Sequence, residues 1–360
     1  MKNKHRALSA ISLILVLIVL IPCLASCSSC SKKLDLNFTI TNRTVSGNEI
    51  LDYGYFKYQL FNDGTAIIID YSGSESNLTI PDAINGHTVV EIGMTTFMPD
   101  ESEIKQNTGC ARLSSITLNP SLEKIGEYAF YQCPNLSSVT FGEKLWSVGF
   151  AAFDETPWIK AQTGDFITVG NGVLIKYQGK DLNVTIPDGV RHISSAFSNL
   201  DTLKSVIMGD SVLSVGISAF SGCSELVSVT FGSNVKLIDS YAFSSCYNLV
   251  SATFPDSLEQ IGSNAFYSCY SIKSVRCGAS LKKISQNAFD SCTGIRTIEI
   301  PATLTEVEQF AFTNCWNLLM VFYGGTEAQF KAINYTGDSS SNFILKDAII
   351  IYGENSNEKQ

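Results

Sequence analysis

Seven cysteines recur at one fixed position along this 360-residue chain, and cysteine offers more kinds of chemistry than the residues around it. They are Cys110, Cys133, Cys223, Cys246, Cys269, Cys292 and Cys315. In an exported protein such residues could form disulfides, bind zinc or act as nucleophiles. A zinc site needs closely spaced ligand pairs, whereas these cysteines are 23 or more residues apart. One cysteine at the same place in each repeat instead predicts an inward column of small apolar residues, so we expect seven buried free thiols.

Acid–base chemistry has few candidates, because only His87 and His192 lie beyond the N-terminal segment. A hydrolase needs a nucleophile, a base and an orienting group brought together. Each histidine follows an Ile-Pro segment inside a repeat-like stretch, which favours a structural or surface position. Gly-rich phosphate loops and EF-hand calcium loops are missing from the sequence. We therefore expect no catalytic residue, no metal and no cofactor, with an enzyme site in a hairpin insertion as a remote alternative.

The dipeptide Ala-Phe marks a tandem repeat. Consecutive phenylalanines of this dipeptide are 23 residues apart, except for one interval of 44, and they are Phe130, Phe153, Phe197, Phe220, Phe243, Phe266, Phe289 and Phe312. A fixed period of this length is typical of stacked units that are each too small to bury an apolar face alone. One unit has its apolar positions at Leu226, Val229, Phe231, Val235, Ile238, Ala242 and Phe243. The chain is therefore predicted to be one solenoid, with its function on the surface.

Each unit is predicted to begin with a strand, because its first apolar positions alternate and a Gly or Pro follows, as at Gly232 and Pro255. The stretch through Ala-Phe is too short for a stable helix, so we expect a second short strand and one helical turn. Stacked units should pair their strands in parallel and place each Phe ~4.8 Å from the next. The predicted fold class is a mainly β solenoid of 23-residue units.

Two alternating segments are predicted to be tight hairpins. Residues 56–71 alternate around Asp63-Gly64 and residues 166–177 around Asn171-Gly172, dipeptides that favour two-residue hairpin turns. The first should cap the N-terminal end of the array, and the second accounts for the long interval. The predicted domains are a signal peptide (1–26), a flexible stalk (27–50), an N-terminal hairpin cap (51–96), the solenoid (97–322) with a hairpin insertion at about 157–187, a C-terminal cap (323–352) and a tail (353–360).

The first 26 residues have the layout of a secretory signal peptide, with Lys2, Lys4 and Arg6 before an apolar run from Ala7 to Leu24. The run could also be an uncleaved anchoring helix, since ~17 residues are enough to span a bilayer. Removal of this segment takes away three positive charges and changes the formal net charge from −9 to −12. Nucleic acid is therefore not expected as a partner, because phosphate binding needs clustered Lys and Arg.

The sequence Leu24-Ala25-Ser26-Cys27 resembles the lipobox of bacterial lipoproteins. The resemblance implies a diacylglyceryl thioether on Cys27 and cleavage in front of it. The mature chain, residues 27–360, would then be held at a membrane by acyl chains, as an extracytoplasmic lipoprotein at the bacterial cell surface. An ordinary secretory cleavage is the alternative.

The pattern LxxVxF, then Gly or Pro, then LxxIGxxAFxxC resembles the BspA-like class of leucine-rich repeats in bacterial surface proteins. Residues 226–246 match it except that Asp239 replaces the Gly, and the likeness covers about residues 55–352. The resemblance implies a leucine-rich repeat array displayed on the surface, without catalysis, for adhesion to a host or bacterial protein or polysaccharide. We expect a monomer. A structural, envelope-associated spacer protein is the alternative.

Five aromatic residues outside the apolar frame form the candidate ligand surface, and they are Tyr241, Tyr247, Tyr267, Tyr270 and Trp316. They lie beside the Phe or the Cys of their units, where the pattern has turn residues. Tyr and Trp are favoured binding anchors because they combine a large contact area with a polar group. Partial packing between adjacent turns would also explain them, and the sequence leaves both interpretations open.

Overall fold

Parallel strands stacked at the repeat spacing build a β-solenoid in the computed structural model, which describes residues 38–40, 43–337 and 342–353. The predicted fold class is thereby confirmed. Each regular unit contributes two strands, a first one of two to four residues, called the longer strand, and a second one of two residues. Like strands of successive units pair in register. Val206 lies opposite Val229 on the longer strands, and Val215 lies opposite Ile238 on the short ones. Cys27 and the predicted signal peptide lie outside the described residues.

The strands in chain order are β1 (Leu51–Tyr53), β2 (Phe56–Leu60), β3 (Ala66–Tyr71), β4 (Asn77–Thr79), β5 (Ala83–Ile84), β6 (His87–Ile92), β7 (Ser115–Thr117), β8 (Lys124–Ile125), β9 (Ser138–Thr140), β10 (Ser147–Val148), β11 (Phe166–Val169), β12 (Val173–Tyr177), β13 (Asn183–Thr185), β14 (His192–Ile193), β15 (Ser205–Ile207), β16 (Ser214–Val215), β17 (Ser228–Thr230), β18 (Leu237–Ile238), β19 (Ala252–Thr253), β20 (Gln260–Ile261), β21 (Ser274–Arg276), β22 (Lys283–Ile284), β23 (Thr297–Ile300), β24 (Glu306–Val307), β25 (Met320–Tyr323), β26 (Asn334–Tyr335) and β27 (Ile349–Tyr352). The helices are α1 (Glu101–Gln106), α2 (Pro157–Lys160), α3 (Glu327–Lys331) and α4 (Phe343–Asp347), with a 3₁₀ turn at Gly109–Arg112. No helix among these residues has the length and apolar character to cross a membrane.

The stretch around Ala-Phe is a run of turns, and the predicted helical turn is not found there. Tyr241 and Ser245 have φ of 58° and 62°, so left-handed residues before and after Phe243 interrupt any helix. The backbone N–H of Phe243 instead donates to Ala265 O of the next unit at 2.7 Å, and Phe266 N–H donates to Ala288 O at 2.8 Å. Bonds between units therefore satisfy the backbone of this buried stretch, as an interior requires.

The phenylalanines form the predicted column. Successive rings from Phe197 to Phe312 are stacked with centroids 4.9–5.3 Å apart. The interval of 44 is filled by an unpredicted ring, because Tyr177 stacks on Phe197 at 4.9 Å. Tyr71 likewise precedes Phe97, with its ring 5.2 Å away and tilted by 41°. Each Tyr ends an antiparallel strand pair, β2–β3 or β11–β12, so each pair supplies the first ring of a column.

Phe38 lies on the outer side of the short strands, within the range predicted as a flexible stalk. Its ring is 5.2 Å from Trp146 and 5.0 Å from His192, and it packs with Leu213 and Leu237. Only 8% of Phe38 is exposed. The chain then runs along the same side, where an Arg43 N–H donates to Glu123 at 2.6 Å. This docking differs from the stalk prediction, because the side of the solenoid offers an apolar groove that one aromatic ring fills.

Candidate interaction surface

Tyr247 and Tyr270 form a stacked pair on the surface. Their rings are 5.4 Å apart and 6° from parallel, and the residues are 43% and 46% exposed. Each follows a column cysteine, Cys246 or Cys269, whose side chain is fully buried. Because the thiol points inward, the next residue is turned toward solvent, and the spacing between units brings the two rings into contact. The result is an aromatic platform that is open on one side.

The other three predicted residues are exposed but do not join this pair. Tyr241 is 46% exposed and Tyr267 is 38% exposed, and among the described residues neither ring stacks on another of the five. Trp316 is 64% exposed and occupies the same repeat position as Tyr270 two units further on, with Thr293 between them. Its ring is 6.2 Å from Phe343 instead. The structure therefore brings together only one pair from the five predicted residues.

Three exposed apolar side chains at one repeat position were missed from the sequence. Val227, Val250 and Leu319 each follow the first frame leucine of a unit and are 42%, 45% and 59% exposed. Val250 N–H donates to Val227 O at 3.2 Å, so these two residues lie on adjacent units, whereas Lys273 and Arg296 separate them from Leu319. The sequence does mark them, because each is an apolar residue at the repeat position that Lys204, Lys273 and Arg296 occupy in other units.

The column cysteines are buried free thiols, as predicted. The thiol of Cys269 donates to Phe243 O at 3.1 Å, and the other regular units repeat this bond. Burial raises the pKa of the Cys223 and Cys315 thiols to about 12, because a thiolate would lose its hydration. A nucleophilic or metal-binding cysteine must be a thiolate, so these side chains are suited to packing.

His192 is buried and is not accessible to a substrate. It is 5% exposed, its Nδ1 lies 2.8 Å from Ser214 Oγ, and Phe38 covers its ring. Burial, and secondarily the charge of Arg191, lowers the pKa of His192 to about 3. His87 lies elsewhere, with Nδ1 2.8 Å from Gly64 O. Within the described residues, no group of three or more His, Cys, Asp or Glu side chains could hold a metal ion.

A groove of about 480 Å³ crosses the last units where the longer strands end. Its polar lining includes Asp256, Arg276 and Glu299, and its apolar lining includes Phe322 and Tyr352. Arg276 Nε lies 3.3 Å from a Glu299 carboxylate oxygen, so these two charges neutralise each other. The groove is an open surface feature with an aromatic wall, and the sequence-based candidates did not include it.

Comparison with known proteins gives one family match. The family described as BspA type leucine-rich repeat region matches residues 102–227 and 192–319 with six copies, which is more than half of the chain. Among curated proteins none matches. Similar solved structures include a leucine-rich cell surface protein from Faecalibacterium prausnitzii, 21% identical, covering 81% of this chain and 99% of its own, with a TM-score of 0.39. The pneumococcal vaccine antigen PcpA is 16% identical, with 84% and 98% covered and a TM-score of 0.45. A leucine-rich repeat protein from Bacteroides ovatus is 19% identical, with 88% and 99% covered and a TM-score of 0.27.

Proposed function

The chain belongs to the BspA-type leucine-rich repeat family, and from that premise we propose that it is a non-catalytic surface protein that binds a protein or polysaccharide. The observation that carries the proposal is the stacked, half-exposed pair Tyr247 and Tyr270. Two parallel phenol rings offer a flat apolar face with hydroxyl groups at its rim, which suits a sugar ring or a peptide segment. An extended solenoid adds further contacts on neighbouring units.

The absence of catalysis in this proposal is supported by the state of His192. A base with a pKa of about 3 takes up a proton poorly at neutral pH, and Phe38 blocks access to its ring. The Arg276–Glu299 pair in the end groove is exposed and mutually neutralised. Cys277 lines the same groove, but burial raises the pKa of its thiol to about 12, so it is not a thiolate at neutral pH. The burial of His192, which follows the hairpin insertion, argues against the alternative of an enzyme site there.

The binding proposal is tested with the double variant Tyr247→Ser/Tyr270→Ser on a glycan and matrix-protein array, using the chain without residues 1–26. The matched control is Tyr53→Ser/Tyr55→Ser, because these tyrosines are 42% and 59% exposed at the end of β1 and in the turn after it. We expect the first variant to lose binding by at least ~10-fold while both variants keep the wild-type melting temperature. Equal loss of binding in both variants would contradict the assignment. A wild-type chain that binds nothing on the array would support the spacer alternative.

We also propose that a lipid anchor on Cys27 holds the protein at the cell surface, and the lipobox-like sequence before Cys27 supports this proposal. Metabolic labelling with a lipid precursor should mark the wild-type chain and a Cys30→Ala control, and should fail in Cys27→Ala. Label retained in Cys27→Ala would remove the anchor from the proposal without affecting the binding experiment.

A further inference from the structure

The last strand of the longer-strand sheet has an unprotected edge. β27 ends the order β19-β21-β23-β25-β27, and no strand among the described residues lies on its outer side. A free edge carries N–H and C=O groups ready to pair with another strand. Proteins usually protect such edges with Lys, Pro or a bulge, but β27 reads Ile-Ile-Ile-Tyr and its pairing with β25 is regular. By comparison, the first longer strand, β4, is polar Asn-Leu-Thr.

Exposed apolar side chains surround this edge, and we name them the C-terminal apolar edge: Trp316, Leu319, Phe322, Phe343, Ile349 and Ile351. Their exposed fractions run from 37% for Phe322 to 67% for Ile349. Within this set the Trp316 and Phe343 rings are 6.2 Å apart, and Ile349 N–H donates to Leu319 O at 2.9 Å. Phe322 and Ile351 face each other across the strand pair. Such a patch on a soluble surface is typical of an interface.

We propose that this edge joins two copies of the chain, by antiparallel pairing of β27 with β27 of the second copy. A two-fold axis at Ile350 places Ile349 of one copy opposite the partner's Ile351, and the reverse. Both side chains are exposed, at 67% and 41%, so each pair buries two isoleucines that face solvent in one copy. Self-complementarity under a two-fold axis is the geometric requirement of an isologous dimer.

The sequence segments that flank this edge are polar. Residues 338–341 read Asp-Ser-Ser-Ser and residues 354–360 read Glu-Asn-Ser-Asn-Glu-Lys-Gln, and neither segment contains an apolar side chain. A second copy of β27 supplies the missing apolar surface. It also supplies strand hydrogen bonds along the free edge, in the manner of strand addition.

The available area indicates a weak dimer. A fully enclosed aromatic side chain buries roughly 150–250 Å², so the exposed fractions of Trp316, Phe322 and Phe343, 64%, 37% and 42%, leave roughly 200–350 Å² per copy. With the three aliphatic side chains and the strand edge, two copies would cover on the order of 1,000 Å², the lower limit for a specific interface. We expect a dissociation constant in the micromolar range.

The test is analytical ultracentrifugation of the chain without residues 1–26 from ~1 to ~200 μM, the range in which a micromolar dimer dissociates. Wild type should pass from monomer to dimer within this range. Ile349→Lys/Ile351→Lys places like charges across the two-fold axis and should raise the dissociation constant at least ~10-fold. The control Val227→Lys/Val250→Lys changes two residues of similar exposure, 42% and 45%, and should dimerise like wild type.

Several results would overturn the proposal. Wild type that stays monomeric at the highest concentration excludes the dimer, and oligomers larger than two exclude the isologous geometry. Equal weakening by the Val and Ile variants shows a nonspecific charge effect. If Ile349→Lys/Ile351→Lys unfolds, Ile349→Thr/Ile351→Thr keeps strand propensity and must still weaken the dimer. Phosphatidylcholine–phosphatidylglycerol vesicles serve as a second probe, and binding of monomeric wild type that the Thr variant loses would assign the edge to lipid instead.

Discussion

Phe266→Ala is the sharpest test of the ring column, because Phe266 is fully buried between two stacked neighbours. Its ring lies 5.2 Å from both Phe243 and Phe289, and 5.4 Å from Phe254. Removing the buried side chain loses roughly 1.5–3 kcal/mol of transfer free energy. The ring leaves a cavity of up to ~100 Å³, which at ~24 cal/mol per Å³ adds about 2 kcal/mol. We therefore expect the free energy of unfolding to fall by about 4 kcal/mol.

The assay is guanidinium unfolding followed by far-UV circular dichroism, with the slope of the transition compared between variants. Phe310→Ala is the matched control, because Phe310 lies in the same kind of turn but is 38% exposed. The control should lose about 1–2 kcal/mol, since more than a third of Phe310 already faces solvent. A loss below about 1 kcal/mol for Phe266→Ala, or equal losses for the two variants, would refute the ring column as a main source of stability.

Three further predictions concern other buried groups. Phe38→Ala should lower the free energy of unfolding by about 1–3 kcal/mol. It should also shift Trp146 fluorescence to the red and speed proteolysis after residue 38. Unchanged fluorescence would contradict the packing of Phe38 on Trp146. His192 has a folded pKa of about 3, below its unfolded value near 6.5, so the unfolded state takes up the proton first and stability is lost as pH falls. Between pH 7 and pH 5, protonation of His192 in the unfolded state should lower the free energy of unfolding by about 2 kcal/mol. In His192→Gln the free energy of unfolding should fall by about 2 kcal/mol less over the same pH range. Iodoacetamide at pH 8 should leave Cys223, Cys246 and Cys292 unmodified in the native chain and label them in denaturant, and native labelling detected by mass spectrometry would contradict their burial.

The period and the apolar frame are enough to predict the solenoid, because every unit must bury the same positions against its neighbours. The local path of the turn is not predictable in this way. Left-handed φ at Tyr241 and Ser245 is unfavourable for these residue types, and it is held by hydrogen bonds to the next unit that no single unit contains. Tyr177 was likewise missed, because it enters the ring column from a strand pair rather than from an Ala-Phe dipeptide.

Long-range docking is the part of the structure that local patterns do not encode. Phe38 packs beside Leu213 and Leu237, and Lys236 Nζ donates to Phe38 O at 3.1 Å across 198 residues of chain. No spacing rule connects these positions. The apolar edge around Ile349 was missed for a different reason, since the repeat is lost after Tyr323 and the frame no longer separates inward from outward positions.

The repeat itself offers a way to separate the two interpretations of the exposed aromatic residues. The position after the column cysteine is Tyr247 or Tyr270 in two units, but it is Pro134, Ser224 or Thr293 in others. Cys133, Cys223 and Cys292 are as fully buried as Cys246 and Cys269, so the unit folds equally well without an aromatic ring beside the thiol. The two rings stack on each other between adjacent turns, but the fold does not need them, and nearly half of each residue stays exposed to a ligand. That comparison favours a binding role for the stacked pair, because folding imposes no requirement for tyrosine there.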